Sequence, residues 1–102
     1  MFLLPTAFTA AFPHDHSEPI DKRGVDTPEG KRSYARDMSS WISFATVAGL
    51  PATVAPVGLT RAGLPVGVQV IAPMWEDGTS IEFAALLSDV VGGFTAPPAF
   101  HE

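Results

Sequence analysis

The chain contains no cysteine. That excludes a disulfide framework and any thiolate metal site, and it agrees with a reducing, cytoplasmic setting. No apolar run approaches the roughly 20 residues needed to cross a bilayer. Met1-Phe2-Leu3-Leu4 is too short for a signal segment and has no basic flank. Basic residues are scarce. Six Lys and Arg stand against eleven Asp and Glu, for a formal net charge of -5, which argues against a nucleic-acid partner. Lys22, Arg23, Lys31, Arg32 and Arg36 cluster loosely, but no aromatics interleave with them. There is no internal repeat and no Gly/Ser-rich stretch. Only two lysines are present, Lys22 and Lys31.

What is there is globular. Apolar residues make up 46% of the chain and charged residues 17%, too apolar a balance for a disordered tail. At 102 residues the chain is at most one small domain, whose isolated core would be marginal. Ten prolines and nine glycines imply short elements joined by turns.

Six segments are expected. Residues 1–7 read as a short edge strand interrupted by Pro5. Residues 8–33 show neither helical nor strand periodicity and read as one long loop. Residues 34–48 read as a helix, with Tyr34, Met38, Trp41, Ile42, Ala45 and Ala48 on one face. Ser33 is its expected N-cap and Gly49 its expected stop. Residues 52–71 read as an antiparallel β-hairpin turning at Gly63. Residues 79–91 read as a helix with a Thr79–Glu82 capping box. Its apolar stripe would be Ile81, Ala84, Ala85, Leu87, Val90 and Val91. Residues 92–102 read as an extended tail. The strands are rich in Val and Ala with little alternation, the pattern of strands covered on both faces. Two helices can hardly supply that cover, so a missing layer is expected from elsewhere. A chain that starts almost within a buried strand points the same way.

Three segments carry a family resemblance: FLLPTAFTAAFPHDHS at 2–17, GLPATVAPVGLTRAGLPVGVQVIAP at 49–73, and EDGTSIEFAALL followed by GGFTAPPAF at 76–100. They resemble the C-terminal end of the amidase signature family. Met74-Trp75 departs from it, where a smaller or more polar pair is expected. The resemblance implies an α/β fold: a C-terminal piece of a large mixed sheet wrapped by helices. It also implies hydrolysis of carboxylic amides by acyl transfer to a serine. In such enzymes a lysine acts through a second serine, and a Gly/Ser-rich loop supplies the oxyanion hole. None of those motifs occurs here. Both lysines lie in the 8–33 segment, and the only serine pair, Ser39-Ser40, sits in the expected helix without glycine neighbours. No catalytic residue is therefore assigned, and no cofactor is implied. The AFPHD segment is more similar to general amidases than to the tRNA-linked branch.

By the same resemblance, Phe8, Phe12, His14 and Trp41 are candidates for lining an acyl-binding wall. His14-Asp15-His16 is chemically able to hold zinc, but its only further imidazole is His101. No metal site is assigned, and Asp15 is expected to pair locally with His16. Asp37, Glu82 and Asp89 form no paired-acid pattern. The expected partner is the remaining part of an amidase, or a second copy meeting the uncovered sheet. The alternative is a stand-alone, non-enzymatic binding or dimerisation module.

Overall fold

A computed structural model describes residues 1–99. Its elements run β1 Phe2–Pro5, a 3-10 turn Ile20–Lys22, β2 Gly24–Thr27, β3 Gly30–Ser33, α1 Tyr34–Asp37, α2 Ser43–Thr46, β4 Ala52–Leu59, β5 Pro65–Ile71 and α3 Asp77–Val91. The architecture is mixed α/β with two antiparallel sheets, one ordered β1-β5-β4 and one formed by β2 and β3.

The main sheet is built on β5. Val70 faces Leu3 of β1 and Thr53 of β4, and Gln69 faces Leu4 and Val54. The expected hairpin forms because Thr60-Arg61-Ala62-Gly63-Leu64 closes a compact loop. Thr60 N–H donates to the Leu64 carbonyl at 2.8 Å, and Gly63 N–H donates to the Thr60 carbonyl at 2.9 Å. Gly63 has φ of 85°, a conformation that favours glycine. The register slips by one between Pro56 and Gly58, leaving Val57 as a bulge. A Cβ on Gly67 would meet the Ala55 carbonyl oxygen at 3.1 Å, so the neighbouring strand lies close there.

Alternation along the strands defines two faces. One carries Leu3, Thr53, Ala55, Val68 and Val70; α3 covers its β4 and β5 part, and Leu3 on β1 is 53% exposed. The Thr53 and Ser80 hydroxyls meet across that interface at 2.8 Å, and the Ser80 hydroxyl also lies 2.9 Å from the Asp77 carbonyl. On the other face the buried Gln69 amide donates to the Pro5 carbonyl at 3.0 Å and the Trp41 carbonyl at 2.9 Å. The buried apolar set is small: Val25, Ala45, Ala55, Val70, Ile71 and Ala72.

Three expectations need correction. The 8–33 segment is not one loop, because it contains the 3-10 turn and the β2–β3 hairpin. That hairpin turns at Pro28-Glu29 with Gly30 at φ of 122°, and the Thr27 hydroxyl donates to the Gly30 carbonyl. Its strands are mostly polar, so hydrophobic alternation could not reveal them.

The 34–48 helix is two single turns. Ser33 does cap the first, accepting from Arg36 N–H at 3.2 Å. The ladder then breaks after Met38: Ser40 N–H donates to the Asp37 carbonyl at 3.3 Å rather than to Arg36, whose carbonyl accepts from the Ser40 hydroxyl at 3.5 Å. Further on, Gln69 takes the Trp41 carbonyl and Ala45 N–H donates to Ile42, at 3.3 Å. The serine hydroxyls favour the break: Ser43 donates to the Ser40 carbonyl at 2.8 Å.

The last helix begins at Asp77, so Thr79 lies inside it. Its hydroxyl donates to the Glu76 carboxylate rather than capping toward Glu82. The buried face is also rotated from the expected stripe: Ser80 is buried, while Ile81 is 60% and Val90 82% exposed. The helix stops at Gly92, with φ of 84°. Met74-Trp75 forms the turn before it, where Trp75 is 90% exposed at φ of 69°.

Candidate substrate-wall site

The 8–17 segment lies along the β2–β3 hairpin, and Asp15 fastens it there. One carboxylate oxygen accepts from the Ser17 hydroxyl at 2.6 Å and from Ser17 N–H at 2.9 Å. The other accepts from Gly24 N–H, at the start of β2, at 3.1 Å. Hydrogen bonds to the ionised form favour ionisation. The Ser17 hydroxyl, then the Ser17 and Gly24 amides, lower the Asp15 pKa to about 2. Asp15 therefore pairs with Ser17 and Gly24, not with His16 as the sequence suggested.

Around this anchor is a cleft of about 390 Å³, lined by Ala11, Phe12, His14, Asp15, His16, Arg23, Gly24 and Tyr34. The Phe12 and Tyr34 rings meet edge to face with centroids 6.1 Å apart, a favoured aromatic geometry. The His14 and His16 rings are nearly perpendicular, with centroids 5.7 Å apart. Arg23 stands at the cleft edge, donating to the Ser17 carbonyl at 2.9 Å and to the Glu18 carboxylate at 2.9 Å.

The four candidate wall residues divide. Phe12 and His14 line the cleft. Phe8 does not line it; its ring lies beneath the Arg32 guanidinium at 4.7 Å, within cation–π reach. Arg32 is held in turn by Asp37 at 3.2 Å. This pairing with Arg32, more than the further bond from Arg36, lowers the Asp37 pKa. Trp41 is apart from the cleft: its ring stacks on Phe44 at 6.1 Å and its carbonyl is held by Gln69. Arg23 and Tyr34 escaped the sequence reading, although Tyr34 follows the β3 strand immediately.

Chemically the cleft is a wall with one fixed anion. Asp15 already serves three donors. Among the described residues no three metal-ligating side chains gather, and His101 lies outside those residues. The hydroxyls of Ser40, Ser43 and Ser88 all donate to nearby main-chain carbonyls. Among the described residues, no helix is long and apolar enough to cross a membrane.

Comparison with known proteins assigns the family. The amidase family model matches residues 1–81, and the chain belongs to that family. A glutamyl-tRNA(Gln) amidotransferase subunit of Leptospira interrogans is 33% identical over 90 residues, which are 88% of this chain and 16% of that protein. Fatty-acid amide hydrolase 2-A of Danio rerio is 38% identical over 58 residues, 57% of this chain and 11% of that protein. Human fatty-acid amide hydrolase 2 is 40% identical over 52 residues, 51% of this chain and 10% of that protein. The chain thus spans a sixth or less of the length of these curated relatives. Both kinds of enzyme match, so the similarity does not favour general amidases over the tRNA-linked branch.

Proposed function

We propose that this chain is the C-terminal portion of an amidase, that it contributes sheet and acyl-pocket wall, and that it hydrolyses no amide alone. The observation that carries the reading is the family match combined with the state of the hydroxyls. The only serine hydroxyl bonded to a carboxylate among the described residues is Ser17, on Asp15. A base with a pKa of about 2 lies about five units below neutral pH and removes a serine proton poorly. Lys31 pairs instead with Asp26 at 3.8 Å. The amide substrate therefore belongs to the larger enzyme, where Phe8, Phe12 and His14 would contribute one side of the acyl pocket and Trp41 would pack behind it. A cytoplasmic setting is part of this reading, supported by the absence of cysteine.

The test is ammonia release from small aliphatic, aryl and fatty amides by the purified chain, alongside labelling with a fluorophosphonate probe for activated serines. Neither turnover nor labelling is expected; either one would overturn the reading.

The exposed apolar surface, with Phe2 67% and Val54 57% accessible, favours a second reading: a stand-alone dimerisation module. Size-exclusion chromatography at two concentrations separates them, since only the module shows a reversible dimer.

A further inference from the structure

The cleft beside the β2–β3 hairpin holds an anion without a counter-ion. Asp15 lines it, half-buried, and among the described residues no Lys, Arg or His side chain forms a salt bridge with it. The basic groups nearby are engaged elsewhere. Arg23 donates to Glu18 and to the Ser17 carbonyl, each at 2.9 Å, and Lys31 pairs with Asp26 at 3.8 Å. An ionised carboxylate offers about four lone-pair positions. On Asp15 the Ser17 amide and hydroxyl occupy two on one oxygen, Oδ1, and the Gly24 amide occupies one on Oδ2. A position on Oδ2 is left.

The same cleft carries two aromatic rings. Phe12 and Tyr34 line it, both half-buried, with centroids 6.1 Å apart and planes inclined at 63°. In an edge-to-face pair one ring keeps a π face free of the other. A carboxylate beside aromatic rings suits an ammonium or amidinium group, because the ring quadrupole and the anion both attract positive charge. The cleft, at about 390 Å³, is at the small end of ligand sites.

We propose that this cleft binds a small organic cation, an ammonium or amidinium group on an apolar body, with Asp15 as its counter-ion and the Phe12 and Tyr34 rings as its wall. The proposal rests on the reading of the chain as acyl-pocket wall of an amidase, where it names the substrate class: amides whose acyl part carries a positive charge. The cation donates to the remaining position on Asp15 Oδ2, and the apolar body lies against Ala11, Phe12 and Tyr34. A carboxylate ligand is disfavoured. It would meet Asp15 as a like charge, and the Arg23 guanidinium is already paired with Glu18.

The probe is benzylammonium, titrated into the full chain at about pH 8, where imidazole is ordinarily neutral. Benzyl alcohol and benzoate are the neutral and anionic comparators. NMR follows the Gly24 amide and the Phe12 and Tyr34 ring resonances. Saturable shifts are expected with benzylammonium, at an affinity about tenfold above that of benzyl alcohol, and none with benzoate. Asp15→Asn should remove that preference. Asp15 also ties its segment to Gly24, so a second variant leaves those bonds in place: Phe12→Leu keeps the bulk without the π face and should reduce the preference by about threefold. Circular dichroism of each variant checks that the fold is preserved.

Equal affinity for benzylammonium and benzyl alcohol overturns the proposal, as does a preference for benzoate or the absence of any saturable shift in the cleft. A cation preference that survives both Asp15→Asn and Phe12→Leu overturns it as well. Those outcomes leave the amidase reading standing. Amide turnover by the chain alone would sink that reading without touching the cation site.

Discussion

The two sheets solve the problem of exposed backbone differently. β2 and β3 place Asp26, Lys31 and Arg32 in eight residues, and each charge is paired or lies over an aromatic ring. One apolar side chain, Val25, is buried beneath them. β1, β4 and β5 together hold nineteen residues without a charge. Their polar features are internal: Gln69 joins β1 to the helical segment, and Thr53 meets Ser80. A short hairpin can face water if it carries charge. The large sheet packs α3 on one face, and on the other it buries Gln69 and Ile71 while Val54 stays 57% exposed.

This contrast is tested most forcefully at the centre of the large sheet. Ile71→Ala removes a side chain that is 2% exposed and should cost about 3 kcal/mol in denaturant unfolding. A loss near zero would mean that β5 is not the core strand. Gln69→Leu should cost about 2 kcal/mol by leaving the Pro5 and Trp41 carbonyls unpaired. Its diagnostic is faster hydrogen exchange in β1 and residues 41–46, with β2 and β3 unchanged. Exchange rising equally in both sheets would erase the distinction.

Smaller effects refine the contrast. Trp75→Gly relieves a bulky residue at positive φ and should stabilise the chain by roughly 0.5 kcal/mol after the added freedom of the unfolded state is counted. A thermal melt reads the sign. The attachment of the 8–17 segment to β2 should depend on acid. Asp15 is lowered from 3.8 to about 2 in the fold. Its contribution is therefore fully present above about pH 4 and lost as the pH falls through about 2. The Gly24 amide resonance followed between pH 5 and 2 should report that loss. A midpoint near the ordinary carboxylate value would show that the hydrogen bonds to Asp15 do not hold in solution.

Much of the large sheet was legible, because Gly63 and two apolar runs specify a hairpin locally. The break in the 34–48 helix was not, because the apolar stripe runs through it unchanged while the Ser40 and Ser43 hydroxyls take main-chain carbonyls there. The rotation of α3 had a similar origin: Ser80 turns inward to meet Thr53, a partner that no helical periodicity names. β2 and β3 were hidden by their own charges, which remove the alternation that marks a strand. Of the wall residues, Phe12 and His14 share the cleft, where Asp15 ties their segment to Gly24 across nine residues, while Phe8 lies under Arg32. Trp41 does not join them, since its position follows from the broken helix.

The most direct test of an unfinished large sheet is the fluorescence of an apolar dye such as bis-ANS with the purified chain. Strong binding by a folded, monomeric chain is expected, sharply reduced by Val54→Arg and unaffected by Lys31→Glu. A folded chain that binds no dye, or whose binding ignores Val54, would contradict the idea that this sheet lacks its cover.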